Sequence, residues 1–168
     1  MNIGRYLRPE QVKLEIETRP DPDADEETAA TERFRLRIKD GVIEELCDLL
    51  CASGKVGSRN KLLADLVNRE RKSSTGIGHG VAIPHVRTMN AKEMIMAFAR
   101  STEGVEFLAV DGRPVHLLLA VVAPPYDDAQ YLKIYKEMAT LFQDEEHVRE
   151  IMEAEDVHQI IKVFRGMP

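Results

Sequence analysis

The segment SSTGIGHGVAIPHVRT, Ser73 to Thr88, sets glycines at 76, 78 and 80, follows them with the apolar run Val81–Ile83, and ends on Pro84-His85. Glycines at alternate positions let a backbone turn tightly, or let another group approach it closely. Proline fixes its own φ and biases the preceding Ile83 towards an extended conformation. The run therefore enters stiff and delivers His85 at its end. A histidine on a rigid mount can be aimed at chemistry; a histidine that merely caps a strand end is the plainer alternative.

Several chemistries are excluded by spacing. The glycines do not follow G-x-G-x-x-G, and they precede a strand rather than open a helix, which argues against a dinucleotide fold. No G-K-S/T follows them, so there is no phosphate-cradling P-loop. There is no G-x-S-x-G elbow for a serine nucleophile. His79 and His85 are joined by no Cys or Asp cluster with metal-ligand spacing. What remains for an aimed His85 is the imidazole as nucleophile, a neutral ring nitrogen attacking phosphorus to give a phosphohistidine. That product needs donors and positive charge for its oxygens. The candidates are the hydroxyls of Ser74 and Thr75, a close approach at Gly76, backbone N–H groups around Val86 and Arg87, and the guanidinium of Arg69 or Arg71.

The chain's 168 residues suit one domain, residues 1–168, with a core of ordinary size. A net charge of −6 argues against nucleic acid as a partner. No apolar run is long enough to span a membrane, and the N-terminus lacks the apolar core of a secretory signal, so a cytoplasmic location is expected. Cys47 and Cys51 read as small buried hydrophobes rather than a redox pair.

Along the chain, VKLEIE (Val12 to Glu17) reads as a short edge strand. Thr18 to Arg33 is acidic, holds two prolines and no large apolar residue, and reads as a solvated loop or disordered insert. RFRLRIKD (Arg33 to Asp40) alternates like a half-buried strand, with Asp40 as the N-cap of a helix that stops near Gly54. A second helix is expected over Asn60 to Arg71. Two strands follow, Met94 to Arg100 and Pro114 to Pro125, the second central and covered on both faces because its apolar run is almost unbroken. Three helices close the chain, the last ended by Gly166. His116 reads as a strand histidine, and His147 and His158 as helix surface residues. Interleaved strands and helices predict an α/β domain.

On these residues a resemblance is recognisable. NRERKSSTGIGHGVAIPHVRT, Asn68 to Thr88, closely resembles the signature of the type-2 enzyme IIA domain of the bacterial phosphoenolpyruvate phosphotransferase system, in its fructose/mannitol and nitrogen-regulatory members. It joins an Arg-Glu pair, STGIG and a Pro-His at fixed spacing, and the likeness extends over about residues 34–165, leaving the acidic stretch outside. The resemblance implies an α/β sandwich, a mixed sheet flanked by helices. It implies that His85 is the phosphoryl acceptor and that Arg69 stabilises the phosphoryl charge. It implies a donor, HPr or its nitrogen-branch homologue, an acceptor that is a IIB domain or a regulated kinase or transporter, and no cofactor. The chain departs from the family in one place. A second histidine is usual at the start of the helix after the apolar strand, and here the position is Tyr131, whose phenol cannot be a cation near neutral pH. Two functions follow as expectations. One is a phosphocarrier, in the regulatory branch because no fused IIB or IIC segment is seen. The other is a regulatory binding module with weak or no phosphotransfer.

Overall fold

The computed structural model describes residues 3–166. A six-stranded mixed sheet runs through the middle, in the order β1 (Val12–Lys13), β5 (Ile95–Val105), β6 (Val115–Ala123), β3 (Val81–Ala82), β2 (Gly76–Gly78). The sixth strand, β4 (His85–Arg87), continues the line of β3 along β6. Antiparallel pairs are β5 with β6 and β2 with β3; the others are parallel.

The sheet is covered on both faces because β6 is apolar on both. Leu117, Leu119 and Val121 pack with Met96 and Phe98 against α4 (Asp128–Gln143), α5 (Glu145–Glu153) and α6 (Val157–Arg165). Leu118, Ala120 and Val122 pack with Ala97 and Ala99 against α2 (Glu32–Cys51) and α3 (Arg59–Lys72). This is the expected α/β sandwich, with Val115–Ala123 as its central strand. Strand alternation alone assigns the two sets to opposite faces.

The glycine run is a hairpin. β2 and β3 are joined through His79 and Gly80, with φ of 58° and 78°. Positive φ at both turn residues is the type I′ pattern that matches strand twist, and histidine tolerates it better than most side chains. Gly76 has a different reason. A Cβ there would lie 2.7 Å from the Cα of Ala109, so only glycine lets the 107–110 segment lie against β2. That segment donates the Val110 N–H to the Gly76 carbonyl at 2.9 Å, along the outer edge of the sheet.

Three expectations are corrected. Arg33 to Asp40 is not a strand but the start of the 20-residue helix α2, capped by the Thr31 hydroxyl, which accepts from Phe34 N. The alternation of basic and apolar residues there is real, yet Lys39, Ile43, Leu46 and Leu50 recur at helical spacing and all are buried, and that longer stripe decides. Asp40 therefore sits inside a helix, paired with Arg71 at 2.6 Å, and caps nothing. The edge strand is shorter than Val12 to Glu17. The chain leaves the sheet where Glu15 turns to accept from Thr102 N, and where Glu45 accepts from the Glu17 and Thr18 amides. The acidic stretch 18–33 contains one helical turn, α1 (Glu26–Ala29), capped by Asp25, and its last two residues, Glu32 and Arg33, already belong to α2.

Candidate active site

The mount of His85 is built from a register. Val81 and Ala82 pair with Leu117 and Leu118, and His85 and Val86 pair with Val121 and Val122. The offset is the same on both sides of Pro84, so 81–87 is one line along β6. Proline interrupts it only by lacking an N–H, and its carbonyl still accepts from Val121 N at 2.9 Å. The partner Val121 faces α4, so His85 does too, while Val86 packs on the opposite face with α2 and α3.

The imidazole has four neighbours. Its Nδ1 lies 2.6 Å from the Ile83 carbonyl oxygen. A carbonyl only accepts, so the proton sits on Nδ1 and Nε2 carries an unprotonated lone pair. Arg69 Nη2 lies 3.3 Å from Nε2, while Arg69 Nη1 donates to the Ser73 carbonyl at 2.9 Å. Tyr131 and Tyr135 flank the ring, with centroids 6.0 and 5.2 Å away, the second edge-on. These are residues one helical turn apart on α4. Burial, and then the charge of Arg69, pull the His85 pKa below its ordinary value, against the Ile83 carbonyl and Glu70. The ring is thus kept neutral and nucleophilic near pH 7.

Around Nε2 opens a cleft lined by Arg69, His85, Val86, Arg87, Pro125 and Tyr131. Five of the six, all but Pro125, are residues singled out from sequence. Arg87 pairs with Asp128 in the first turn of α4, and its guanidinium carbon lies 5.6 Å from the centre of the Tyr131 ring. Tyr131 is 9% exposed, and burial pushes its phenol up to about 12 against the opposing charges of Arg87 and Arg69. It is neutral throughout the physiological range. Strand alternation turns the Val86 amide into the ladder with β6, as Thr88 N–H donates to the Ala123 carbonyl at 2.8 Å, and leaves the Arg87 amide on the opposite edge.

Ser74, Thr75 and Gly76 are not among the lining residues. The Ser74 hydroxyl donates to the Phe107 carbonyl at 3.3 Å and accepts from Gly76 N at 3.1 Å. Thr75 N and Oγ1 both donate to Glu70. Glu70 in turn pairs with Lys39 at 2.8 Å, both side chains almost wholly inaccessible, and Lys39 Nζ stacks over Phe107 at 4.7 Å. These contacts form a chain. Glu70 holds Thr75, the Thr75 carbonyl accepts from Ile83 N at 3.0 Å, and the Ile83 carbonyl sets the His85 tautomer. The Arg-Glu pair thus divides: Arg69 reaches Nε2 and Glu70 anchors the loop behind it. Sequence reasoning missed Lys39, hidden in the supposed strand, and Tyr135, which the Tyr131 + 4 helical spacing identifies. It also missed Asp128. Arg71 is tied to Asp40 rather than to the cleft. His116 Nδ1 donates to the Ser101 carbonyl, 2.9 Å away, at the other end of β6. Among the described residues no group of three or more His, Cys, Asp or Glu could hold a metal ion, and no helix is long and apolar enough to cross a membrane.

Fold and site together define an α/β sandwich that presents one tautomer-locked histidine beside a guanidinium. Residues 31–166 match the model of the phosphoenolpyruvate-dependent sugar phosphotransferase system family, EIIA 2, and the chain belongs to that family. It is 36% identical over 126 residues to the fructose-specific EIIA component of Haloferax volcanii, covering 75% of this chain and 82% of that one. It is 32% identical over 164 residues to the fructose-specific EIIABC component of Bacillus subtilis, covering 98% of this chain but 23% of that longer protein. The nitrogen regulatory protein of Bradyrhizobium diazoefficiens is 32% identical over 103 residues, 61% of this chain and 67% of that one. The crystal structure of nitrogen regulatory protein IIA-Ntr from Neisseria meningitidis superposes with a TM-score of 0.79 at 26% identity, covering 96% and 98% of the two chains. Mannitol IIA from Escherichia coli shares the fold at a TM-score of 0.69 and 17% identity, covering 94% and 98%.

Proposed function

We propose that the chain is a phosphohistidine carrier whose acceptor atom is His85 Nε2. The observation that carries this reading is the 2.6 Å contact of Nδ1 with the Ile83 carbonyl, which leaves Nε2 unprotonated at a cleft and beside Arg69. The donor is the phosphohistidine of HPr or its nitrogen-branch homologue. The Nε2 lone pair forms a bond to phosphorus as the donor's P–N bond breaks, and that electron pair returns to the donor ring, which leaves as neutral imidazole. The His85 ring takes up the positive charge, and its Nδ1–H bond to Ile83 strengthens as it does. No water, metal or nucleotide takes part. Arg69 offsets charge on the phosphoryl oxygens.

The phosphoryl group then passes to a IIB domain, or its presence is read by a regulated kinase or transporter. The known complex of enzyme IIA and phosphorylated enzyme IIB for mannitol in Escherichia coli supports the first route by fold. The likeness to the Neisseria IIA-Ntr structure supports the second and a cytoplasmic, regulatory branch. Adding roughly −1.5 to −2 charges to a docking surface is enough to make or break complementarity. A binding module without transfer is the second reading, and the neutral Tyr131 beside His85 is the observation that favours it.

Intact mass after incubation with enzyme I, phosphoenolpyruvate and each carrier tests the choice. An acid-labile gain of one phosphoryl group in wild type, absent in His85→Ala, is expected. No gain with either carrier would replace the carrier reading with the binding module.

A further inference from the structure

We infer that Arg87 is a second phosphoryl-binding residue, that stacking on the Tyr131 ring holds its guanidinium at the cleft mouth, and that Asp128 only balances its charge until a phosphoryl group arrives. The inference rests on the carrier reading above and deepens it. His85 and Arg87 are two apart on β4, so both side chains leave the same face of the sheet. Both line the cleft, and of its lining residues only Arg69 and Arg87 carry a permanent charge. Tyr131 is their common neighbour: its ring centre is 6.0 Å from that of His85 and 5.6 Å from the Arg87 guanidinium carbon.

Charge balance requires more than Arg69. A phosphoryl group brings roughly −1.5 to −2 charges. Arg69 contributes one positive charge, and its Nη1 is engaged with the Ser73 carbonyl. The Tyr131 phenol is uncharged, so it supplies no second cation. Arg87 does. Its contact to Asp128 is made through Nη1, which leaves the remainder of a five-donor fork for phosphoryl oxygens. Stacking on Tyr131 restricts the rotamers of a long side chain, so less entropy is lost when the oxygens arrive. Asp128 competes for the same guanidinium. In the empty site it balances Arg87, and in the phosphorylated site Arg87 turns from the carboxylate to the phosphoryl group. The covalent step is the one already described: one P–N bond forms on His85 Nε2 as one breaks on the donor, and Arg87 exchanges no proton.

Arg87→Gln, Arg87→Lys and Asp128→Asn test this beside wild type. Each is charged from phosphoenolpyruvate through enzyme I and the carrier, and the rate of phosphoryl uptake is followed by intact mass. Hydrolysis of the phosphohistidine is followed after the donor is removed. Arg87→Gln is expected to slow uptake about 10- to 100-fold, the range for one hydrogen bond to a charged group. Arg87→Lys should recover part of it. Asp128→Asn should keep or raise the rate, by up to about fivefold, because it frees Arg87 from a surface partner. If Arg87 merely ties β4 to α4, Asp128→Asn and Arg87→Gln must instead slow uptake alike, which would overturn the inference. Uptake and lifetime of wild-type magnitude in Arg87→Gln would overturn it too, while leaving the carrier reading intact. A wild type that accepts no phosphoryl group from either carrier would overturn both.

Discussion

Replacing Lys39 by methionine should destabilise the protein by about 3 kcal/mol, at the lower end of the ~3–5 kcal/mol typical when one partner of a buried pair is removed. Methionine keeps the unbranched stem and removes the charge together with the hydrogen bond that Nζ donates to Ser74 Oγ at 3.2 Å. Glu70, whose side chain is 1% exposed, then faces a low-dielectric interior without its cation, 2.8 Å from where Nζ had been. Two donors remain, the Thr75 amide and hydroxyl, which is why the lower end applies. The lost contact of Nζ with the Phe107 ring acts in the same direction. For a domain of this size the loss corresponds to a fall in Tm of about 6–12 °C. Urea denaturation with a fitted m value measures it, and the double variant Lys39→Met/Glu70→Gln completes the cycle. The double variant should recover most of the stability, because no uncompensated charge is left and the amide oxygen still accepts from Thr75. A single variant losing less than about 1 kcal/mol, or a double variant as unstable as the single, would refute the reasoning.

Other outcomes follow from the same contacts. Arg69→Ala should slow phosphorylation of His85 about 10- to 100-fold without lowering Tm by more than a few degrees, since Arg69 is half-buried and faces the cleft; rapid-quench kinetics and a melting curve measure the two. On the carrier reading the neutral His85 ring is the nucleophile, and burial holds its pKa below the ordinary 6.5, so the uptake rate measured between about pH 5.5 and 8 should hold as pH falls through 6.5 and drop only below it. A midpoint at or above 6.5 would contradict the burial argument. The same sign applies to stability: the unfolded chain takes up this proton first, so His85 lowers folding stability as pH falls below 6.5, and His85→Gln should flatten that part of the curve. Tyr131→His should prolong the phosphohistidine lifetime or speed transfer, and a variant indistinguishable from wild type would mean that this position does not act on the phosphoryl group. Gly76→Ala should cost about 1–3 kcal/mol in denaturant titrations, because its Cβ would meet backbone rather than a movable side chain.

The two-sided burial of β6 was legible because a run from Val115 to Ala123 with a single polar residue, His116, has no solvent face to offer. The delivery of His85 by Pro84 was legible for a similar reason: the stiff backbone is local, and the register along β6 only extends it. The start of α2 was not. Eight residues of alternation point to a strand, and the helical stripe that overrides them extends to Leu50, beyond the window in which the alternation is read. That misreading also hid Lys39, whose partner Glu70 lies in another helix. Ser74 and Thr75 were placed near His85 by sequence proximity, but the Ser74 hydroxyl answers to Phe107 and Lys39, distant in the chain, and the Thr75 hydroxyl to Glu70, the end of the helix before it. Short-range stiffness can be read from residues, whereas the partner of a buried polar group depends on how the elements are stacked.

The strip of chain from Phe107 to Val110 has a meaning apart from the histidine. A sheet ends in strands whose outward amides and carbonyls can recruit a foreign strand, and that is how many soluble proteins begin to aggregate. Here one terminal strand is two residues long and the other has its outer side occupied by the Val110 amide, an approach that the missing side chain of Gly76 allows. Such a border offers no template for lasting strand exchange with another chain. The glycine at 76 thus guards the sheet's margin, and its substitution should be read out in turbidity on storage as well as in unfolding.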